Sequence, residues 1–298
     1  MKKKMLFFVN PNAGHAAIRS SLMDVLQIFS AGGYDVTVHP TTGPKNLTHE
    51  IVSRGAQFDL IVCTGGDGTL NEAVSGLMAL PYEKRPPLGY IPGGTVNDVA
   101  STLGLSKDPI RAAQEIVGGR LYPLDIGSFG PDRYFTYVAA FGIFTDVPYE
   151  TPQEDKRIWG RLAYIMNGAG ALGRLKPTHV RVYYEDRKEE ADVLVGLVTS
   201  TTSVGGFKAT KDLGISLNDG LYEMILVRAT KTLAEFNLAA TRALRLDFEN
   251  DSFISAQTGA LRFEFDEPVS WTVDGEFGGS VTEVEIHNEH RAIDIVVP

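Results

Sequence analysis

A short apolar strand that runs directly into a cluster of glycines is the feature that most constrains the fold of this chain. The strand, Leu60–Cys63, is too short for a helix, and three glycines follow within the next five residues. Apolar residues then recur at helical spacing from Leu70 to Met78. The segment therefore predicts a strand-to-helix turn, where backbone N–H groups gather at the positive end of a helix dipole and favour a phosphate.

A carboxylate in the middle of this turn, Asp67, suggests chemistry beyond a simple turn. Beside a polyphosphate a carboxylate is repelled unless a cation lies between them or the carboxylate serves as a base. Magnesium is commonly held by one or two carboxylates together with substrate phosphates. Thr69 adds a hydroxyl where the helix begins. The alternative is that Asp67 and Thr69 only cap the helix.

Two further loops follow predicted strands in the first part of the chain. The strand Met5–Val9 is followed by the sequence NPNAG, and the strand Leu88–Ile91 is followed by PGGTVND. Strands that alternate with helices indicate a parallel, doubly wound sheet, in which ligands bind outside the carboxyl ends of the strands. Three loops are therefore predicted to converge on one crevice. The alternatives are that the first loop is an ordinary turn and that Asn97 and Asp98 only cap a helix.

The motif GGDGT, at residues 65–69, is shared by NAD kinases and by the lipid kinases that include diacylglycerol and sphingosine kinases. The block IPGGTVNDVA, at Ile91–Ala100, is similar to the P-x-G-T-x-N-D-x-A block of the lipid kinases. The entire chain resembles the small bacterial diacylglycerol kinase-like lipid kinases. That resemblance implies an α/β N-terminal domain of the NAD kinase and diacylglycerol kinase type, with ATP as phosphate donor and Mg²⁺ as cofactor.

The resemblance also implies roles for individual residues in catalysis, in a supporting network and in nucleotide binding. Asp67 would organise Mg²⁺ or take part in transfer, and Asp98 and Asp125 would form a supporting polar network, although Asp125 could be a plain surface aspartate. Some relatives have a lysine where this chain has His15, so Arg19 is the expected basic contact. The expected nucleotide-binding residues are Asn10, Pro11, Gly14, Arg19, Thr64, Gly65, Gly66, Gly68, Thr69, Gly94, Thr95 and Asn97.

Strands dominate the chain after Gly118 and Gly119. Many of them alternate polar with apolar residues, as antiparallel strands with one solvated face do. We therefore predict a nucleotide-binding α/β domain at residues 1–126. A β-rich domain, expected to be a sandwich that holds the lipid acceptor, should occupy residues 127–298.

The sequence VDGE at Val273–Glu276 ends an alternating strand with a tight turn that presents Glu276. The resemblance implies that this glutamate is the general base for the lipid hydroxyl. The chemistry needs such a group, because an alcohol must lose its proton as it attacks the γ-phosphorus.

A candidate structural Mg²⁺ site lies at Ser216–Leu221. The segment resembles one that holds Mg²⁺ in bacterial relatives, and the implied ligands are Ser216, Asp219 and Leu221. Asn218 stands where the family has a second aspartate. An Asn-Asp-Gly run is also an ordinary hairpin turn, so that alternative stays open.

A basic helix in the second part is the candidate membrane contact. Arg157 and Arg161 belong to a local positive cluster in an otherwise acidic chain. They are predicted to contact the lipid surface from which the substrate is taken. The alternative is a helix that covers the sandwich core and keeps its basic side in solvent.

The net charge of −9 argues against nucleic acid as a partner, since nucleic-acid binding calls for a basic face. Cys63 is the one cysteine, which favours a reducing compartment, and no apolar run approaches a membrane span. We predict a cytoplasmic protein that meets a lipid substrate transiently at a membrane surface. An edge strand of the β-rich domain could support a homodimer.

The predicted function is that of an ATP-dependent lipid kinase acting on diacylglycerol or a related lipid. One alternative is an NAD kinase-like or other small-molecule kinase, because GGDGT alone does not discriminate between them. The other is a non-catalytic nucleotide-binding sensor.

Overall fold

A computed structural model describes the chain at residues 2–11, 17–94, 97–142, 176–200, 203–204, 207–208, 217–245 and 247–298. The chain divides into two compact units. Unit 1 comprises Met1–Ile126 together with Glu289–Pro298, and unit 2 comprises Gly127–Asn288. Within the described residues, no helix has both the length and the apolar character needed to cross a membrane.

Unit 1 is built on a parallel sheet. Its strands are β1 Lys3–Val9, β2 Tyr34–Pro40, β3 Leu60–Gly65 and β4 Leu88–Pro92. They lie in the order β2-β1-β3-β4, and each neighbouring pair is parallel. Every residue of β3 and β4 is buried, which explains why these strands are nearly continuous apolar runs.

Helices connect the strands of unit 1: α1 Ala17–Ala31, α2 Asn46–Arg54, α3 Asp67–Met78, α4 Asp98–Leu103 and α5 Pro109–Gly118. Helix α1 packs against α5 and helix α2 against α3. Glycine permits the second contact, because a Cβ on Gly76 would lie 2.8 Å from the Cβ of Ile51. Helix α5 begins where the Asp108 carboxylate accepts a 2.8 Å hydrogen bond from the Arg111 N–H.

Unit 2 is dominated by antiparallel strands. Strand β5, Arg120–Phe129, leads into it from unit 1, and the later elements are β6 Arg133–Phe135, β7 Val138–Gly142, β8 Thr178–Tyr184, β9 Arg187–Thr199, β10 Ser203–Val204, β11 Phe207–Lys208, β12 Tyr222–Arg228, α6 Leu233–Leu244, β13 Phe253–Thr258, β14 Ala260–Val273 and β15 Glu276–Val297. Strands β13, β12, β9, β7, β14 and β15 are neighbours in that order, and β8 pairs with β14 and β9.

An aromatic core of its own stabilises unit 2. The indole of Trp271 is fully buried, with ring centroids 4.6 Å from Phe141, 5.1 Å from Phe129 and 5.3 Å from Phe263. Burying side chains of this size stabilises a fold by about 2 to 3 kcal/mol each. The prediction of an α/β first part and a β-rich second part is confirmed.

The end of the chain differs from the sequence-based division. Residues 127–298 were expected to form the second domain, but Glu289–Pro298 belongs to unit 1. Strand β15 continues from unit 2 into unit 1, where Ile295 pairs in parallel with Leu88 of β4. Its final residues are apolar and buried, as the interior of a parallel sheet requires.

Candidate active site

The central turn joins β3 to α3, and its glycines determine its shape. The Gly66 carbonyl accepts hydrogen bonds from the N–H groups of Thr69 and Leu70, at 3.0 and 3.1 Å, so the helix begins immediately. A Cβ on Gly65 would lie 2.2 Å from the Thr69 hydroxyl oxygen. Glycine is therefore required at position 65, and Thr69 lies folded over the end of the strand. Gly68 lies in the first turn of α3, and Thr64 is buried at the end of β3.

Asp67 is hydrogen-bonded to the loop that follows β4 and carries Gly93, Gly94 and Asn97, called the second turn below. Its Oδ2 accepts a 3.0 Å hydrogen bond from the backbone N–H of Asn97. Asn97 is buried and has a left-handed backbone with φ 55°, and its side chain does not cap α4. Instead its Oδ1 accepts a 3.0 Å hydrogen bond from the Gly94 N–H, and its Nδ2 donates to the Gly94 carbonyl at 2.6 Å. The Asn97 side chain thus holds the Gly94 backbone and does not cap α4, and its contact with a nucleotide stays a prediction.

Glycines allow the two turns to touch through their backbones. The Gly93 N–H donates a 2.7 Å hydrogen bond to the Gly65 carbonyl. A Cβ on Gly94 would lie 2.7 Å from the Cα of Gly66. A side chain at position 94 would push the turns apart, so Gly94 allows Asp67 and Asn97 to come together.

Tyr90 of β4 also contacts both turns, although the sequence marked it only as a strand residue. Its buried hydroxyl lies 2.9 Å from the Gly65 carbonyl oxygen and 3.2 Å from Asn97 Oδ1. Burial, reinforced by the charge of Asp67, raises the pKa of Tyr90 well above its usual value. The phenol therefore stays protonated and acts as a donor.

The first loop reaches the central turn from the end of β1. The Asn10 side-chain amide donates a 3.4 Å hydrogen bond to the Thr69 hydroxyl. Arg19, the expected basic contact, donates its guanidinium to the Pro11 carbonyl of the same loop. Asn10 and Thr69 therefore meet, while the described hydrogen bond of Arg19 goes to the Pro11 backbone.

A cavity of about 210 Å³ opens beside these residues. It is lined by Asn10, Thr41, Gly43, Pro44, Leu47, Thr69 and Glu72. Sequence reasoning missed Thr41 and Glu72 as site residues. Thr41 follows the end of β2, and this position at the carboxyl end of a parallel strand was the signal that could have identified it.

Two aspartates of the expected supporting network are buried in unit 1. Asp98 opens α4, and Asp125 accepts a 2.6 Å hydrogen bond from the Arg291 N–H. Both side chains are about 1% exposed, which decides against a plain surface position for Asp125.

In unit 2 the VDGE turn presents an exposed Glu276 next to a buried Asp274. The Asp274 carboxylate accepts hydrogen bonds from the N–H groups of Thr136, Tyr137 and Val138, at 2.7 to 3.1 Å. The Thr136 hydroxyl adds a fourth, at 2.9 Å. Asp274 and Gly275 have φ 48° and 83°, as a tight hairpin turn requires. The carboxylate that holds the turn is therefore Asp274, and Glu276 is left accessible.

At the candidate structural metal site, Asp219 Oδ1 accepts a 3.0 Å hydrogen bond from the Leu221 N–H. The Leu221 carbonyl accepts a 3.2 Å hydrogen bond from the Asn288 side-chain amide. The Asp219 carboxylate and the Leu221 carbonyl are oxygen donors of the kind that Mg²⁺ prefers. The described part of the chain holds no group of three His, Cys, Asp or Glu side chains that could bind a metal.

Five of the predicted site residues lie outside the described residues. These are Gly14, Thr95, Ser216, Arg157 and Arg161. Their proposed contacts with nucleotide, metal and lipid therefore stay predictions.

Comparison with known proteins gives consistent results over the chain. A family model for the diacylglycerol kinase catalytic domain matches residues 4–129. A diacylglycerol kinase from Bacillus subtilis is 37% identical over 302 residues, covering 100% of this chain and 97% of the relative. One from Staphylococcus epidermidis is 34% identical over 301 residues, covering 100% and 93%. The crystal structure of a diacylglycerol kinase from Bacillus anthracis has a similar fold, with a TM-score of 0.78 at 21% identity, covering 100% of this chain and 97% of that one.

Proposed function

The chain belongs to the diacylglycerol kinase family, and from that premise we propose that it transfers the γ-phosphate of ATP to the hydroxyl of diacylglycerol or a related lipid, giving phosphatidic acid or an analogue. The family makes it a lipid kinase. The observation that carries the proposal is the hydrogen bond from Asn97 to Asp67, which fixes a carboxylate where two glycine-bearing turns meet.

The nucleotide would bind at the turns of unit 1. Helix α3 begins at Asp67, so its first N–H groups and its dipole favour phosphate oxygens at this point. Asn10 and Thr69, which touch each other and line the 210 Å³ cavity, would hold the nucleotide beside the phosphates. The remaining proposed contacts are Pro11, Gly14, Arg19, Thr64, Gly65, Gly66, Gly68, Gly94, Thr95 and Asn97.

We propose Mg²⁺ at two places. Asp67 would offer a carboxylate beside the phosphate-binding turns. In unit 2 the Asp219 carboxylate and the Leu221 carbonyl, with Ser216 as the third proposed ligand, would offer oxygen donors. When bound at Asp67, Mg²⁺ would neutralise the charge of the transferring phosphoryl group. Asp98 and Asp125, both buried, would support the turns from below.

Glu276 would take the proton of the acceptor. As the lipid oxygen forms its bond to the γ-phosphorus, the hydroxyl proton passes to the Glu276 carboxylate and ADP leaves with the electrons of the broken P–O bond. An exposed carboxylate on a turn held by Asp274 suits this role, because a bulky lipid must reach it.

Other features complete the proposal. We propose that unit 1 is doubly wound and that the β-rich part is a sandwich. We also propose that the enzyme is cytoplasmic and that Arg157 and Arg161 contact the membrane from which it takes its lipid. A homodimer stays part of the proposal, and nucleic acid is not a partner. Membership of a lipid kinase family argues against both alternatives, an NAD kinase and a non-catalytic sensor.

The experiment is transfer of ³²P from γ-labelled ATP with Mg²⁺. Fractionated lipids, purified diacylglycerol and NAD would be offered to the same preparation. We expect label in diacylglycerol or one lipid fraction and none in NAD. Label in NAD alone, or in nothing, would contradict the proposed function.

A further inference from the structure

Tyr90 is a buried polar side chain that lies beneath the central turn, at Gly65–Thr69, and the second turn, which carries Gly94 and Asn97. It lies in β4, where it pairs with Cys63 of β3, and it is 1% exposed. Burial raises the pKa of the neighbouring Cys63 thiol to about 12, which indicates how apolar this part of the sheet is. A hydroxyl in such a place is costly unless it is hydrogen-bonded. Its partners therefore explain why a tyrosine is tolerated there.

Both partners belong to the proposed ATP site. One is the Gly65 carbonyl, at the end of β3, and the other is the Asn97 amide oxygen, before α4. A phenol has one proton, so the two acceptors share it in a three-centre bond. The hydroxyl thus connects the central turn to the second turn from below.

We propose that Tyr90 is a positioning residue that holds the Asp67 turn and the Asn97 turn in the spacing that binds ATP. This inference rests on the proposed function, since it assigns the nucleotide to these turns. Tyr90 does not touch the reacting atoms in this account. It acts through Asn97, whose backbone N–H donates to Asp67.

The effect should appear in nucleotide affinity. The Gly65 carbonyl and Asn97 Oδ1 keep other donors, Gly93 and Gly94, so removing the hydroxyl does not leave either acceptor without a hydrogen bond. What is lost is a side-chain bond that ties the turns together. A looser site must be ordered by the nucleotide, and this ordering lowers affinity for ATP more than affinity for the lipid.

The test compares Tyr90→Phe with Tyr82→Phe, which removes a hydroxyl from a 66% exposed side chain of the same unit. The measurements are the Kd for a non-hydrolysable ATP analogue with Mg²⁺ and the KM values for ATP and diacylglycerol. For Tyr90→Phe we expect the Kd and the KM for ATP to rise about tenfold, with the KM for diacylglycerol within twofold of wild type. Tyr82→Phe should match wild type.

Amide hydrogen exchange provides an independent measurement on the full-length protein without nucleotide. Tyr90→Phe should speed exchange at both 65–69 and 93–98. A lower melting temperature with unchanged ATP affinity and unchanged exchange at these turns would overturn the inference and leave Tyr90 a packing residue. If wild type neither binds the analogue nor transfers phosphate, the proposed function fails, whereas the exchange comparison still decides whether Tyr90 joins the turns.

Discussion

Asp67 of unit 1 and Glu276 of unit 2 are the two acidic side chains proposed for the chemistry, and the protein holds them in opposite ways. Asp67 is itself hydrogen-bonded, through Asn97, to a turn that packs against its own. Glu276 is exposed, and the hydrogen bonds that fix its turn go to Asp274 two residues earlier. In unit 1 the proposed catalytic side chain, Asp67, is fixed directly. In unit 2 a neighbouring carboxylate fixes the backbone, and the proposed catalytic side chain, Glu276, stays accessible.

The largest expected effect is on activity at Glu276. Glu276→Gln removes the proton acceptor but no interior contact, so kcat should fall by about 10² to 10⁴-fold with the melting temperature unchanged. Steady-state kinetics and thermal unfolding check this result. Glu285→Gln, an exposed glutamate on the same strand, is the matched control and should keep full activity. Activity of Glu276→Gln near that of wild type would show that Glu276 is not the proton acceptor.

Asp274 should show the reverse behaviour, a loss of stability. Asp274→Ala leaves the buried N–H groups of Thr136, Tyr137 and Val138 without their acceptor, which should lower the free energy of unfolding by about 3 kcal/mol or more. Chemical denaturation measures this change. Asp186→Ala removes an exposed turn aspartate of the same unit and should be nearly neutral. Equal stability of the two variants would show that Asp274 does not hold the turn.

The backbone turn between β3 and α3 in unit 1 was largely predictable because its signals are local. Glycines after an apolar strand, followed by helical spacing, predicted the turn that the structure forms between β3 and α3. Tyr90 could not be predicted in the same way. A tyrosine inside a strand normally signals a core aromatic, and only the pairing of β3 with β4 brings its hydroxyl beneath Gly65.

The chain end and the role of Asp274 were harder to predict for a related reason. Residues 292–297 look like a strand in either unit, and long-range contacts, such as the parallel pairing of Ile295 with Leu88, place them in unit 1. Asp274 looks like a turn residue, and its partners at 136–138 are remote in sequence. Long-range pairing, rather than local propensity, determined both outcomes.

Glu223 sharpens the comparison inside unit 2. It is a half-buried carboxylate that accepts a 3.1 Å side-chain hydrogen bond from Gln257 Nε2, whereas Asp274 is buried and accepts four hydrogen bonds. Burial raises the pKa of Glu223 to about 7, and the nearby Asp219 adds to the shift. The folded protein thus holds the proton more tightly than the unfolded chain. Its stabilising contribution is complete below about pH 4.5 and is lost as pH rises through 7.

Glu223→Gln should therefore remove a pH dependence of stability. The variant and wild type should unfold alike near pH 4.5, and the variant should be more stable by up to about 3 kcal/mol at pH 8. Urea denaturation at several pH values measures the difference. Glu249→Gln, an exposed glutamate of unit 2, should follow wild type throughout. Parallel pH profiles for Glu223→Gln and wild type would mean that the Glu223 carboxyl does not titrate differently on folding.

The smallest expected effect concerns the contact between the two unit 1 turns. Gly94→Ala places a Cβ 2.7 Å from the Cα of Gly66, and because that neighbour is backbone it cannot rotate away. We expect a loss of about 1 to 3 kcal/mol in stability together with weaker ATP binding. Gly118→Ala, where nothing lies within 4 Å of the added Cβ, is the matched control and should be neutral or slightly stabilising. If Gly94→Ala kept wild-type affinity for ATP, the close spacing of the turns would not matter for nucleotide binding. The hydrogen bond from Asn97 to Asp67 would then serve only the stability of the fold.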